Sequence, residues 1–188
     1  MLPKIEIELP AWVDPVIDFT RVYPSAEDRM RLAIQLSRDN ILRETGGPFG
    51  AAIFESESGR LVSVGVNLVV PLRNSSLHGE MVAFMMAQAR LGTFTLNADC
   101  LPAHELVTSC DPCAMCLGAA LWAGVRRISC GATRDDAGEI FFDEGPVFPE
   151  SYAYLESRGI EIVHGVLRED AREVLALYAR NNGTIYNG

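Results

Sequence analysis

The segment from Cys113 to Gly124 reads CAMCLGAALWAG and carries no charged side chain. A helix of that composition has no polar stripe to turn toward water, so it has to be covered on most of its sides. It lies between HELVTS, which reads as a strand after Pro102, and VRRISCGA, which reads as another. Strand, buried helix and strand make a right-handed crossover, and that commits the chain to parallel strands with helices lying on the sheet.

The other segments fit the same scheme. SAEDRMRLAIQLSRDNILRE opens with Ser25 as an N-cap and Glu27 and Asp28 in the first turn. Its apolar positions at 30, 33, 34, 36, 41 and 42 predict a helix. GGPFG ends it, and AAIFES and RLVSVGVNLVV follow as a hairpin around a polar turn. Helical spacing resumes from about His78 to Arg90 and stops at Gly92. PESYAYLESRG, IEIVHGV and EDAREVLALYARNN predict a helix, a strand and a closing helix stopped at Gly183. The sum is a three-layer α/β/α sandwich around a five-stranded mixed sheet. Residues 1–24, punctuated by Pro3, Pro10, Pro15 and Pro24, are expected to lie as an extended arm on a domain formed by 25–188.

A chain of 188 residues has room for a core and a pocket without disulfide support. The net charge of −9, with no basic stripe to offset it, argues against a nucleic-acid partner. No apolar run reaches the length of a membrane span, and the N-terminal stretch lacks the basic head and unbroken apolar centre of a secretory signal. A cytoplasmic protein is therefore expected. Five cysteines cannot all pair within one chain, and a reducing compartment disfavours disulfides, so metal binding or burial has to account for them.

Pro112 favours helix initiation, which puts Cys113 and Cys116 on one face of a first turn, where the helix dipole favours thiolates. Among three histidines only His78 sits at a helix start with an acid two residues on. Three ligands with a position left for water describe a catalytic zinc, whereas structural zinc takes four. Glu80 supplies the acid-base group, since bound zinc brings its water to a pKa of roughly 7 and a nearby carboxylate can take and return the proton. His-x-Glu followed by Pro-Cys-x-x-Cys is the signature of zinc-dependent nucleobase deaminases. Here it stands as His78-Gly79-Glu80 and Pro112-Cys113-Ala114-Met115-Cys116.

From about residue 26 to 186 the chain resembles the cytidine and deoxycytidylate deaminase superfamily. GGPFGAA, VGVNLVV, ELVTSCDPCAMCLGAALWAGV, FFDEGP and the terminal IYN resemble bacterial guanine deaminases within it. The resemblance implies a cytidine deaminase-like fold and one zinc per subunit on His78, Cys113 and Cys116, with Glu80 as proton shuttle. It further implies hydrolysis of guanine to xanthine and ammonia, a step in purine catabolism. By the same resemblance Asn67 and the Gly79 N–H contact the base, Phe49 packs on its face, and Glu144 is a second catalytic acid, with Asp143 beside it as the alternative. A homodimer is implied, with Tyr186 as a lid if the C-terminal tail closes a partner's pocket. Two positions depart from the guanine deaminase pattern. Gly79 replaces an alanine, which also resembles fungal cytosine deaminases, and Asp111 replaces a glutamate.

Alternative substrates for the same chemistry are cytosine, an amino-triazine or a guanine nucleoside. A tRNA adenosine deaminase conflicts with the net charge, and a non-catalytic zinc module would have no use for Glu80. Cys110, Cys130 and Trp122 are expected in the core and Cys100 in an exposed loop. His104 and His164 are expected to be structural.

Overall fold

The computed structural model describes residues 2–187. The chain runs α1 (Val13–Val16), α2 (Ala26–Leu42), β1 (Gly50–Glu55), β2 (Leu61–Val66), α3 (Val69–Leu72), α4 (Gly79–Leu91), β3 (His104–Cys110), α5 (Ala114–Ala123), β4 (Arg127–Ala132), α6 (Arg134–Gly138), α7 (Pro149–Ser157), β5 (Glu161–Val163) and α8 (Arg168–Arg180). Local chemistry sets several of these bounds. The Ser25 hydroxyl accepts from the Asp28 N–H at 3.1 Å to start α2. Gly92 ends α4 in the left-handed conformation, where its missing Cβ removes the steric penalty.

The strands form one sheet in the order β2-β1-β3-β4-β5. β1 is antiparallel to both β2 and β3, so those two run parallel to each other across it, with α4 as the crossover. β3, β4 and β5 are parallel neighbours joined through α5 and α7. Side chains alternate along β1: Ala52 and Phe54 enter the hydrophobic cluster that receives Met30 and Ala33 of α2 and Val174 of α8. Ala51 and Ile53 enter the cluster that receives Ala83 and Phe84 of α4 and Leu117 and Ala120 of α5. Both faces of the sheet are thus covered, as a three-layer α/β/α sandwich requires.

Three expectations need correction. The apolar run after Gly65 does not continue as strand to Val70. β2 stops at Val66, the Asn67 side chain accepts from the Val69 N–H at 3.3 Å, and Val69–Leu72 turns as a short helix. β5 covers only Glu161–Val163 before Gly165 turns at positive φ. α5 is not buried on most sides, and Trp122 is not a core residue. Cys116, Leu117, Ala120 and Ala123 face inward, while Trp122 is 83% and Met115 38% exposed. That outer face borders a groove lined by Leu117, Gly118, Leu121, Val147 and Tyr154.

The first segment packs on the domain without being wholly extended. Val13, in the turn α1, and Tyr23 are buried, Ile7, Leu9, Trp12 and Ile17 pack against the α2 side of the core, and Val22 bridges Arg60 beside the hairpin. No described helix is long and apolar enough to cross a membrane.

Candidate active site

Two helix starts meet at one place. His78 is the N-cap of α4 and Cys113 the N-cap of α5, both in extended backbone conformation, and neither side chain caps its own helix. Cys116 follows one turn into α5. The His78, Cys113 and Cys116 ligand atoms all lie within 4.8 Å of one another, with His78 Nδ1 3.5 Å from Cys113 Sγ. Imidazole and two thiols at that spacing fit a zinc ion with one position left open. The Cys116 thiol and His78 both hydrogen-bond the Cys113 sulfur, and against the opposing effect of burial they draw the Cys113 thiol down to about 4. Burial pushes the thiols of Cys110 and Cys130 up instead, in keeping with their place in the strands.

A narrow cavity beside this cluster is lined by Phe49, His78, Glu80, Asp111, Phe142, Asp143, Glu144 and Tyr186. It collects most of the residues the sequence singles out. Glu80, in the first turn of α4, is 6% exposed; burial, with the negative charge of Cys113, pushes its carboxyl up. Glu144 is pushed up to about 8 by burial, reinforced by Cys113 and Glu80. Its carbonyl accepts from the Ala114 N–H at 3.0 Å, which ties the FFDEGP loop to the first turn of α5. Asp143 turns its carboxylate to the Gly145 N–H at 2.8 Å, in a local turn. Gly79 begins α4, and a Cβ there would stand 3.0 Å from the Phe49 carbonyl oxygen, a tight but not prohibitive approach.

Asn67 is fully buried just past β2, and its backbone N–H donates to the Phe49 carbonyl at 2.9 Å. Its Nδ2 and the Tyr186 hydroxyl are buried without a well-formed hydrogen bond, the two side chains facing one another beside Gly47. Unpaired buried polar groups are rare and call for a partner, which a bound polar molecule would supply. Tyr186 belongs to the tail of this same chain. It packs edge-on to Phe142, with ring centroids 5.1 Å apart, and Asn187 clamps the loop beneath by bonding the Phe141 carbonyl and the Asp143 N–H.

Sequence reasoning passed over Phe142 and underrated two polar residues. Phe142 packs edge-on to Phe49 and completes the apolar wall; it stands inside the quoted FFDEGP, yet nothing in the pattern separates it from Phe141, which is 79% exposed. Asp111 reaches the cavity and accepts from the Arg134 N–H at 3.2 Å. His164, expected to be structural, places Nδ1 2.8 Å from the Asp111 carboxylate. Their meeting depends on the β3-β4-β5 order, which local spacing does not reveal. His104 is buried with Nδ1 2.9 Å from the Leu96 carbonyl.

A buried carboxylate beside an open His-Cys-Cys donor set, at paired helix starts on a mixed five-stranded sheet, defines a zinc-dependent hydrolytic deaminase. Residues 24–132 match the family model for the cytidine and deoxycytidylate deaminase zinc-binding region, and the chain belongs to that family. It is 34% identical over 143 residues to the guanine deaminase of Bacillus subtilis (strain 168), covering 76% of this chain and 87% of that protein. It superposes on the guanine deaminase structure from Nitrosomonas europaea with a TM-score of 0.90 at 45% identity, covering 96% of this chain and 98% of that one. A further solved structure, which holds 2,6-diaminopurine, matches at a TM-score of 0.90 and 46% identity over 97% of this chain and 96% of that one.

Proposed function

We propose that this enzyme converts guanine and water to xanthine and ammonia. The observation that carries the reading is a single cavity in which two buried carboxyls, Glu80 and Glu144, face the His78, Cys113 and Cys116 cluster. The guanine deaminases among its relatives support the substrate. His78, Cys113 and Cys116 would hold a zinc ion, which when bound would supply the Lewis acidity that makes water nucleophilic near neutral pH. Glu80, buried at the cavity, takes the proton from the attacking water and returns it to a ring nitrogen of the purine as the carbon bearing the amine becomes tetrahedral. Glu144, which faces the same cluster, gives a proton to the departing amine and recovers one from the added hydroxyl as it becomes the carbonyl, while Asp143 is committed to its own turn. Asn67 donates to an acceptor on the base from its unpaired Nδ2, and the Gly79 N–H lies at the same rim. Phe49 and Phe142 form the apolar wall against the purine, and Tyr186 closes the cavity as a lid.

The finer organisation follows the same reading. Residues 1–24 are an extension and 25–188 the deaminase domain. The uncovered apolar face of α5 supports a homodimer, and a tail that reaches the cavity within one chain is also placed to exchange between two. Five free cysteines, two of them in the metal cluster, support a reducing cytoplasm, and hydrolysis of guanine to xanthine is a step of purine catabolism.

The zinc-loaded protein is incubated with guanine, and xanthine and ammonia are followed. Both should appear in equal amounts. Glu80→Gln should lower turnover by about 10³-fold while zinc content stays at one per chain. Turnover of cytosine, a triazine or a guanine nucleoside in place of guanine would overturn the substrate, and a Glu80→Gln variant at the wild-type rate would overturn the mechanism.

A further inference from the structure

The first segment and the base-binding edge are joined by hydrogen bonds that run through the middle of the molecule. Trp12, half-buried beside α1, donates its indole N–H to the Thr45 hydroxyl at 3.0 Å. The Thr45 hydroxyl donates to the Asn40 side-chain oxygen at 2.7 Å. The Asn40 amide then donates one hydrogen to the Gly47 carbonyl and the other to the Asn67 carbonyl, each at 2.9 Å. Asn40 is fully buried, and with these bonds its amide donors and its oxygen all have partners. Arg43 lies over the Trp12 ring, 5.4 Å from its centroid, and fixes the indole from the other side.

The chain of bonds ends where the cavity begins. Gly47 borders both Asn67 Oδ1 and the Tyr186 hydroxyl, and the Asn67 N–H bonds the carbonyl of Phe49, a cavity residue. The junction has no slack, since a Cβ on Gly46 would fall 1.9 Å from the Asn67 carbonyl oxygen and 2.7 Å from Asn40 Nδ2. A planar amide that grips two carbonyls at once fixes the distance between the segments that own them. Here those segments are the loop leading to Phe49 and the residue that anchors the base.

We propose that Trp12, Thr45 and Asn40 act as positioning residues for purine binding, so that the first segment is a working part of the substrate site of its own chain. The inference rests on Asn67 being the base anchor. Trp12 orients the Thr45 hydroxyl, Thr45 locks the Asn40 rotamer, and Asn40 holds the Gly47 and Asn67 backbone so that the Asn67 amide meets the base in one orientation. None of the three touches the base. Their loss raises KM and leaves the proton transfers of Glu80 intact.

Steady-state kinetics of the full-length, zinc-loaded protein with guanine test this. Thr45→Val keeps the shape and removes the hydroxyl. It should raise KM about tenfold with kcat held within about twofold and zinc content unchanged. Thr45→Ser, which restores the hydroxyl, should return KM to near wild type, a rescue that a purely packing role for Thr45 would not give. Trp12→Phe, which keeps an aromatic ring and removes the indole N–H, should shift KM in the same direction and add nothing to Thr45→Val. Asn67→Ala separates the two levels of the argument. If it raises KM while Thr45→Val and Trp12→Phe leave KM unchanged, the positioning role is overturned and the Asn67 reading stands. If Asn67→Ala itself leaves KM unchanged, the base-anchor reading falls and this inference with it.

Discussion

Replacing Arg29 by methionine should destabilise the fold by about 3–5 kcal/mol, because it strands a carboxylate in the centre of the protein. Arg29 is 5% and Glu105 1% exposed. The guanidinium contacts Glu105, its Nε donates to the Tyr23 carbonyl at 3.0 Å, and it lies over the Phe54 ring. The other Glu105 oxygen accepts from the Ser129 hydroxyl at 2.5 Å. Without the guanidinium, a charged group on β3 keeps that single bond and has almost no access to water. The stranded charge outweighs the methionine's better burial. For a chain of this size each kcal/mol moves Tm by about 2–4 °C, so a fall of about 6–20 °C is expected. The decisive variant is the double one, Arg29→Met with Glu105→Leu, which removes both charges and fills the space with apolar atoms. It should recover to within about 2 kcal/mol of wild type. Urea unfolding by linear extrapolation, at one saturating zinc concentration for all variants, yields the coupling from the double-mutant cycle. A double variant as unstable as the sum of the two single ones would refute the reasoning, since it would mean neither charge depends on the other.

Two further predictions concern pH and assembly. The Arg168 guanidinium beside Asp136, together with the Thr133 N–H and hydroxyl, holds its carboxyl well below the usual carboxylate range. A carboxyl depressed in the folded state stabilises fully above its unfolded value and loses that contribution as pH falls below about 4. Tm measured down an acid series should therefore fall less steeply for Asp136→Asn than for wild type, and parallel curves would dismiss the role given to Asp136. Trp122→Asp puts a charge on the uncovered face of α5; light scattering at fixed concentration should show a dimer give way to monomer with Tm of the monomer little changed, and an unaltered mass would remove α5 from the interface.

Much of the site was legible because its chemistry is carried by short spacings. His78 and Glu80 are two apart, Cys113 and Cys116 three apart, and Ser25 announces α2 with a side chain that does cap it. Sheet order was less accessible, since antiparallel pairing of β1 with β3 is a long-range fact, and so is the β3-β4-β5 order that brings His164 to Asp111. The end of β2 was misjudged because Leu68, Val69 and Val70 look like strand, whereas the Asn67 side chain satisfies the Val69 N–H and turns the backbone away. Trp122 was misjudged for another reason. Apolar composition says that a surface will be covered and is silent on whether the covering comes from the same chain.

The two zinc-donor helices also show what a functional site costs locally. An N-cap side chain that accepts from its own helix is worth about 1 kcal/mol. α2 and α6, which carry none of the metal ligands, take that stabilisation through Ser25 and through the Thr133 and Asp136 capping box. α4 and α5 forgo it, since their N-caps are His78 and Cys113 and neither side chain turns back on its helix. The first N–H of α5 is satisfied from elsewhere, by the carbonyl of Glu144. One hydrogen bond thus does two things: it repairs the end of a helix whose cap is reserved for metal, and it fixes the second carboxyl relative to Cys113. A loop that merely covered the cavity could drift by an ångström without consequence. This one cannot drift without leaving a backbone donor of the zinc helix unpaired, and that is why FFDEGP can hold the Glu144 carboxyl beside the cluster from a segment with no regular secondary structure.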